Sequence, residues 1–206
     1  GALPPAAADA PVAAVERSPV PVDFWANRGV TRVQMVHGTA YAAALDSDGQ
    51  VWTWSASTGP TPSKLPLPRS QAVELAGTGS VLYAVTRSGA LLQWSDVGNS
   101  QQQAEPPRTL GGALRDVASV SAGRAHVLVR TRQGELFAFG DNSHGQLGLG
   151  ASAEEVPALG PEAARRVEGL PAGARVAQMA CGQAHSLVVL EDGKCYAWGD
   201  DRNLQL

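Results

Sequence analysis

A unit that recurs four times is the feature that most constrains how this chain folds. The four copies begin near Val33, Glu74, Val117 and Val176, and each contains a two-residue turn that ends in glycine. Successive turns lie about 40 to 60 residues apart, a period typical of propeller blades and other stacked repeats. The turn glycines, which we assign a structural role because tight hairpins favour positive φ, are Gly49, Gly89, Gly134 and Gly193.

The strand after each turn alternates between a small face and a bulky one. In the first copy Val51 and Thr53 alternate with Trp52 and Trp54, and the other copies repeat the pattern with Leu92 and Trp94, Phe137 and Phe139, and Tyr196 and Trp198 on the bulky side. A bulky face packs well against the small face of a neighbouring sheet. The pattern therefore predicts sheets stacked face to face.

The expected fold class is all-β, a β-propeller. The 23 glycines and 14 prolines indicate many turns. We place repeat units near residues 32–57, 72–98, 117–150 and 176–206 of a repeat region 25–206, and we interpret residues 1–24, rich in Pro and Ala, as an arm or linker. In the long connection after the third unit we predict an outer strand at Val167–Leu170, with a short helical turn as the alternative.

Charge and cysteine content exclude several classes of protein. The net charge of -3, with 16 basic and 19 acidic residues, argues against direct nucleic-acid binding. Cys181 and Cys195 are the two cysteines, too few for a disulfide scaffold, which favours a reducing compartment. No apolar run approaches the roughly 18 residues of a membrane span, so none is expected.

The third unit, GRAHVLVRTRQGELFAFGDNSHGQLGLG from Gly123, resembles the regulator of chromosome condensation (RCC) repeat, and the fourth repeats it as CGQAHSLVVLEDGKCYAWGDD. The resemblance implies a seven-bladed propeller, of which about four blades are covered here. It marks as structural the residues His126, His185, Gly140, Trp198 and Gly199.

The first two units depart from the RCC pattern. Tyr41 and Val81 stand at the His position, and Ser55 and Ser95 stand where the glycine of the aromatic-Gly pair is expected. Such divergence is similar to that of mitochondrial members of the family. Because four blades form an open arc with exposed edges, we expect an incomplete propeller whose other blades lie C-terminal, or which a partner chain completes.

Loops held by a rigid scaffold are the favoured places for binding a partner protein. The partner-binding candidates are Arg124, Asp141, Asn142, His144, Gln183, Asp200 and Arg202, of which Asp141 and Asn142 could instead bond to their own backbone.

We expect no catalytic residues, since His185 and Ser186 are adjacent in a strand and point to opposite faces. We also expect no metal, because Cys181, His185 and Cys195 lack metal-site spacing, and no nucleotide or other cofactor, because Gly145–Gly150 lacks the Lys-Ser/Thr of a phosphate loop.

The predicted function is that of a non-enzymatic scaffold in a larger assembly. The resemblance to mitochondrial family members suggests a mitochondrial ribosome or respiratory complex. The alternative is guanine-nucleotide exchange on a small GTPase, the activity of the nuclear family member, with a nuclear or cytoplasmic location. Ultraviolet sensing, known in a plant member, is disfavoured because Trp52, Trp54, Trp94 and Trp198 occupy predicted core positions.

Overall fold

The computed structural model describes residues 23–36, 41–55, 59–68, 71–97, 104–150, 155–156 and 158–206. These residues form four antiparallel sheets, here called blades 1 to 4. Blade 1 contains β1 (Val30–Met35), β2 (Tyr41–Asp46), β3 (Val51–Ser55) and β4 (Gly59–Lys64), and blade 2 contains β5 (Ala72–Thr78), β6 (Val81–Thr86), β7 (Leu91–Trp94) and β8 (Arg108–Leu110).

Blade 3 contains β9 (Val117–Ala122), β10 (His126–Thr131), β11 (Leu136–Asp141), β12 (Ala158–Leu159) and β13 (Arg165–Arg166), and blade 4 contains β14 (Val176–Cys181), β15 (His185–Leu190) and β16 (Cys195–Gly199). Short 3-10 helices span Asp23–Trp25 and Pro161–Ala163. The predicted all-β fold class is confirmed, and the described residues form four blades.

Each of the four hairpin turns holds its glycine at a positive φ, between 76° and 86°. Side chains other than glycine rarely adopt this conformation. At Gly134 a Cβ atom would also lie 2.9 Å from Cβ of Arg175, in the segment that leads into blade 4. The turn is therefore packed against the connection to the next blade.

Three apolar clusters, one at each junction between blades, hold the arc together. Leu92 and Trp94 of blade 2 pack with Val51 of blade 1. Phe139 of blade 3 packs with Leu91 of blade 2, and the third cluster joins blades 3 and 4 in the same way. The bulky face of each of blades 2 to 4 therefore meets the small face of the blade before it, as the alternation predicts.

The two ends of the arc differ in what covers them. The aromatic face of blade 1 packs against the first 3-10 helix, with ring centroids 5.2 Å apart for Phe24 and Trp52 and 5.8 Å apart for Trp25 and Trp54. On the far face of blade 4, Cys195 and Ala197 are exposed. The sequence pattern gave no sign that Phe24, placed in the predicted arm, lies against blade 1.

The outer strand of blade 3 differs from its prediction. It consists of Ala158–Leu159 and Arg165–Arg166, which both pair with β11, and it ends before the predicted span Val167–Leu170. Pro161 begins the 3-10 helix that separates the two pieces. Val167 still donates its backbone N–H to the carbonyl of Leu136 at 2.9 Å, and its side chain is buried.

Candidate functional site

The two ends of the strands form two separate faces of the arc. The bend face is defined by the bends β9–β10 and β14–β15 and by the loops that follow β11 and β16. The turn face is defined by the four glycine turns and the connections between blades. All of the predicted partner-binding residues lie on the bend face of blades 3 and 4, where Arg124 donates its backbone N–H to the carbonyl of Gln183 at 3.1 Å.

The loop after β11 contains two buried side-chain amides, those of Asn142 and Gln146. Asn142 donates from Nδ2 to the carbonyl of Val156 at 2.9 Å, and its Oδ1 accepts the backbone N–H of Leu147 at 3.1 Å. Asn142 is 0% exposed. It is therefore not available to a partner, which corrects its assignment as a contact residue, because a buried amide must satisfy its donors and acceptor inside the protein.

Asp141 uses its carboxylate within the same loop. Its Oδ2 accepts hydrogen bonds from Ser143 Oγ at 2.7 Å and Gln146 Nε2 at 2.6 Å. Burial alone would raise the pKa of Asp141, but these hydrogen bonds and that of the Ser143 backbone outweigh it, so the pKa lies below its ordinary value. The carboxylate stays ionised and shapes the loop instead of pointing outward.

Blade 4 builds the same loop with different residues. Gln205 Oε1 accepts the N–H of Asn203 at 2.9 Å, as Gln146 Oε1 accepts that of His144. Asp201 accepts the N–H of Leu206, the bond that Asn142 makes to Leu147 in blade 3. The closing residues DRNLQL therefore form a second copy of the loop, although the glycine of the motif is absent.

Asp200 and Arg202 form the charged part of this second loop. The Arg202 guanidinium donates to both Asp200 oxygens at 2.9 and 2.8 Å. The arginine lowers the pKa of Asp200 to about 2. The Arg202 side chain is 73% exposed and that of Asp200 only 10%, so the guanidinium is the part that a partner can reach.

Gln146 joins blades 3 and 4, a role that sequence reasoning missed. Its carbonyl oxygen accepts Ser186 Oγ and Trp198 Nε1, each at 2.9 Å. Ser186 and Gln146 are almost completely buried. The recurrence of Gln at the same loop position, 146 and 205, is the signal that could have identified the loop as structural.

His126 also crosses this junction. Its Nε2 lies 3.0 Å from Ser186 Oγ, and its Nδ1 has no hydrogen-bond partner among the described residues. Burial lowers the pKa of His126 to about 4, against an opposing effect of Asp141. The equivalent His185 is half-buried at the uncovered end of blade 4.

The side chains that remain available on the bend face are Arg124, His144, Gln183 and Arg202, all exposed. Cys181 and Cys195 are free thiols, and burial raises the pKa of Cys181 to about 11. Within the described ranges no group of three His, Cys, Asp or Glu side chains could hold a metal ion. The same residues contain no helix long and apolar enough to cross a bilayer.

Known proteins carry the same repeat. The family described as regulator of chromosome condensation (RCC1) repeat matches residues 133–189 in one form and residues 117–146 and 176–205 in a second. The mitochondrial RCC1 domain-containing protein RUG3 of Arabidopsis thaliana is 32% identical over 145 residues, which are 64% of this chain and 31% of that protein.

The probable E3 ubiquitin-protein ligase HERC6 of Homo sapiens is 30% identical over 172 residues, or 78% of this chain and 16% of the ligase. This chain therefore spans less than a third of the length of these two relatives. Yeast RCC1 (Prp20), solved bound to Kap60, superposes with a TM-score of 0.64 at 25% identity, over 78% of this chain and 40% of the yeast protein.

Proposed function

Because this chain carries the regulator of chromosome condensation repeat over residues 117–205, we propose that it is a protein-binding scaffold that uses the bend face of blades 3 and 4. The observation that carries the proposal is that some side chains of that face form hydrogen bonds inside the loops, whereas others are exposed. Asp141, Asn142 and Gln146 form hydrogen bonds inside the loop after β11, and Asp201 and Gln205 do the same in the loop after β16. Loops fixed in this way present their exposed side chains with little loss of entropy on binding.

The relatives support protein binding as the general activity. Yeast RCC1, a propeller of the same type, is solved with Kap60 bound to it. The exposed groups here, two guanidiniums, an imidazole and an amide, suit hydrogen bonds to a protein surface. The proposal assigns no catalytic step to the chain.

We place the scaffold in mitochondria, docked on a large assembly such as the ribosome or a respiratory complex. The support is the similarity to RUG3, a mitochondrial RCC1 domain protein, together with the divergence of the first two repeats.

Tagged purification from cells, with mass-spectrometric identification of the proteins that co-purify, tests the scaffold. The wild-type protein is compared with a variant in which Arg124, His144, Gln183 and Arg202 are alanine. Recovery of ribosomal or respiratory subunits by the wild type, and their loss in the variant, supports the proposal. Equal recovery by both proteins would exclude the bend face as the binding surface.

The similarity to yeast RCC1 favours guanine-nucleotide exchange on a small GTPase as the second candidate function. The chain is added to small GTPases loaded with fluorescent GDP. Catalytic acceleration of GDP release would establish an exchange factor and displace the scaffold as the main function. An unchanged rate at excess chain removes this candidate.

A further inference from the structure

The turn face of blades 1 to 3 carries three exposed arginines, one from each blade. They are Arg32 in β1, Arg87 directly after β6 and Arg132 directly after β10, and together they are called the arginine row. None of them forms an ion pair with a described residue. Asp48 and Asp116 lie on the same face but outside ion-pair distance of the row.

Two of these arginines reach across blade junctions toward blade 2. Arg32 donates from Nε to the carbonyl of Val73 in β5 at 3.1 Å. Arg132 donates from Nη2 to the carbonyl of Arg87 itself at 2.7 Å. Two guanidiniums are thus anchored on backbone carbonyls of blade 2, and no described carboxylate lies within ion-pair distance of any of the three arginines, so a bound anion would add favourable charge interactions.

A groove of about 340 Å³ between blades 1 and 2 contains two members of the row, Arg32 and Arg87, with Ser47 and Gln71. Asp46 also lines this groove, yet its carboxylate is already engaged. It accepts the N–H of Asp48 at 3.0 Å and of Gln50 at 2.9 Å, and it accepts Trp52 Nε1 at 2.8 Å. The groove therefore offers guanidinium donors to a ligand, while the buried Asp46 carboxylate directs its oxygens to donors of its own turn and strand.

Blade 4 ends the positive surface. Its turn carries Glu191 and Asp192, whereas the turns of blades 2 and 3 carry Arg87 and Arg132. Both acids form ion pairs, Glu191 with Arg175 at 3.1 Å and Asp192 with Lys194 at 2.8 Å. The row is thus a local feature about three blades wide in a chain whose net charge is -3.

We propose that the arginine row binds an acidic peptide segment of a partner protein, whose carboxylates the three guanidiniums take in charged hydrogen bonds. Guanidinium groups match carboxylates in a two-pronged geometry, which favours them over lysine for this purpose. A nucleic acid is disfavoured because its backbone needs a broad basic surface and would be repelled by a negatively charged chain. This surface is separate from the bend face and does not depend on the scaffold proposal.

Fluorescence anisotropy with a labelled ten-residue peptide of alternating Glu and Gly tests the proposal on the 206-residue chain. The triple variant Arg32→Ala, Arg87→Ala, Arg132→Ala is compared with a matched control, Arg108→Ala, Arg165→Ala, Arg166→Ala, which removes the same charge from the outer strands β8 and β13, away from both the arginine row and the bend face. We expect the Kd to rise about tenfold or more in the row variant and less than about threefold in the control.

Affinity of the wild type should also fall as salt is raised, since exposed charges are screened. Circular dichroism confirms that all three proteins are folded. Absence of wild-type binding at about 1 mM peptide, a millimolar range in which even weak contacts register, would overturn the proposal. So would equal loss in both variants, or tighter row-dependent binding of a short DNA duplex than of the peptide.

Discussion

The junction between blades 1 and 2 and the junction between blades 3 and 4 both pack a bulky face against a small one, but their polar contacts differ. In both, a tryptophan donates to a carbonyl of the preceding blade, Trp94 to Pro66 at 3.2 Å and Trp198 to Gln146 at 2.9 Å. The position of the RCC histidine also reaches the next blade in both. Tyr41 does so through one hydroxyl contact of 3.3 Å to the Val81 carbonyl, whereas His126 joins a buried network.

The difference shows which part of the repeat motif makes the fold and which part refines a junction. Alternating small and bulky faces are present in all four blades and are enough to stack them, because burial of apolar area is non-directional. The His, Ser and Gln network fixes one geometry and is costly if incomplete. The N-terminal blades have the apolar part of the motif without the His, Ser and Gln network.

The largest effect is expected at the position after the last aromatic residue of the strand, which is glycine in blades 3 and 4 and serine in blades 1 and 2. Gly140 has φ +105°, and a Cβ there would lie 2.4 Å from the Ala125 oxygen and 2.7 Å from Cα of His126. Gly140→Ser should lower the free energy of unfolding by roughly 3 kcal/mol, through strain and lost packing. Urea denaturation measures this.

The reciprocal change at the equivalent position of blade 2, Ser95→Gly, should cost less than about 1 kcal/mol, since Ser95 is exposed and needs no positive φ. Similar losses from both exchanges would mean that the aromatic-Gly pair has no special role in the C-terminal blades.

The two junctions should respond to opposite extremes of pH. The folded pKa of His126, about 4, lies below its ordinary value of 6.5, so its contribution is present above pH 6.5 and is lost as the pH falls toward 4. The loss between pH 7 and 5 should be about 2 kcal/mol. Burial raises the pKa of Tyr41, so its contribution is lost as the pH rises above 10.

Denaturation curves at pH 5, 7 and 10.5 check this prediction. His126→Gln should reduce the loss of unfolding free energy between pH 7 and 5. Tyr41→Phe should reduce the loss of unfolding free energy at pH 10.5, to which Tyr83, with a pKa raised to about 12, also contributes. An acid response that persists unchanged in His126→Gln would assign it to other groups.

Removal of one hydroxyl from each junction should separate the network from the single contact. Ser186→Ala leaves His126 Nε2 without its partner and removes a bond to the Gln146 carbonyl, at a cost of roughly 1 to 2 kcal/mol. Tyr41→Phe at neutral pH should cost about 0.5 kcal/mol, because its contact of 3.3 Å is long. A larger effect of Tyr41→Phe would reverse the ranking of the two junctions.

The smallest effect concerns the two copies of the C-terminal loop. Leu204 has φ +57°, where the corresponding Gly145 has φ +72°, and Leu204 is 89% exposed. Leu204→Gly should raise the free energy of unfolding by about 0.5 kcal/mol, because relief of the strain of a left-handed backbone outweighs the entropy that glycine loses on folding. Thermal melting detects it, with Asn203→Gly as the control at a residue without positive φ. A lower melting temperature for Leu204→Gly would show that the leucine makes stabilising contacts.

Much of the fold and part of the bend face could be predicted from local pattern. Glycine turns at a regular period and the alternation in strands such as Val51–Ser55 report directly on hairpins and faces, so blade stacking followed from the sequence. The outer strand of blade 3 was predicted too late in the chain, because two-residue strands carry no periodicity and Pro161 divides them.

Which polar residues face a partner was harder to predict. Asn142 and His144 are polar residues of the same loop, and the sequence pattern does not tell which of them is exposed. In the structure Asn142 is fully buried and His144 is exposed. Ser186 gave no signal, since its partner His126 lies 60 residues away and in a different blade.

The sequence by itself determined the repeat, the turns, the two faces of each strand and the similarity of the C-terminal half to the RCC repeat, since each depends on a few neighbouring residues. Only the tertiary structure decided how charges and polar groups meet. Residues from different blades meet in the His126–Ser186 contact, in the hydrogen bond from Trp198 to the Gln146 carbonyl, and in the arginine row. Their distances depend on how whole sheets stack, and local spacing along the chain carries no measure of that geometry.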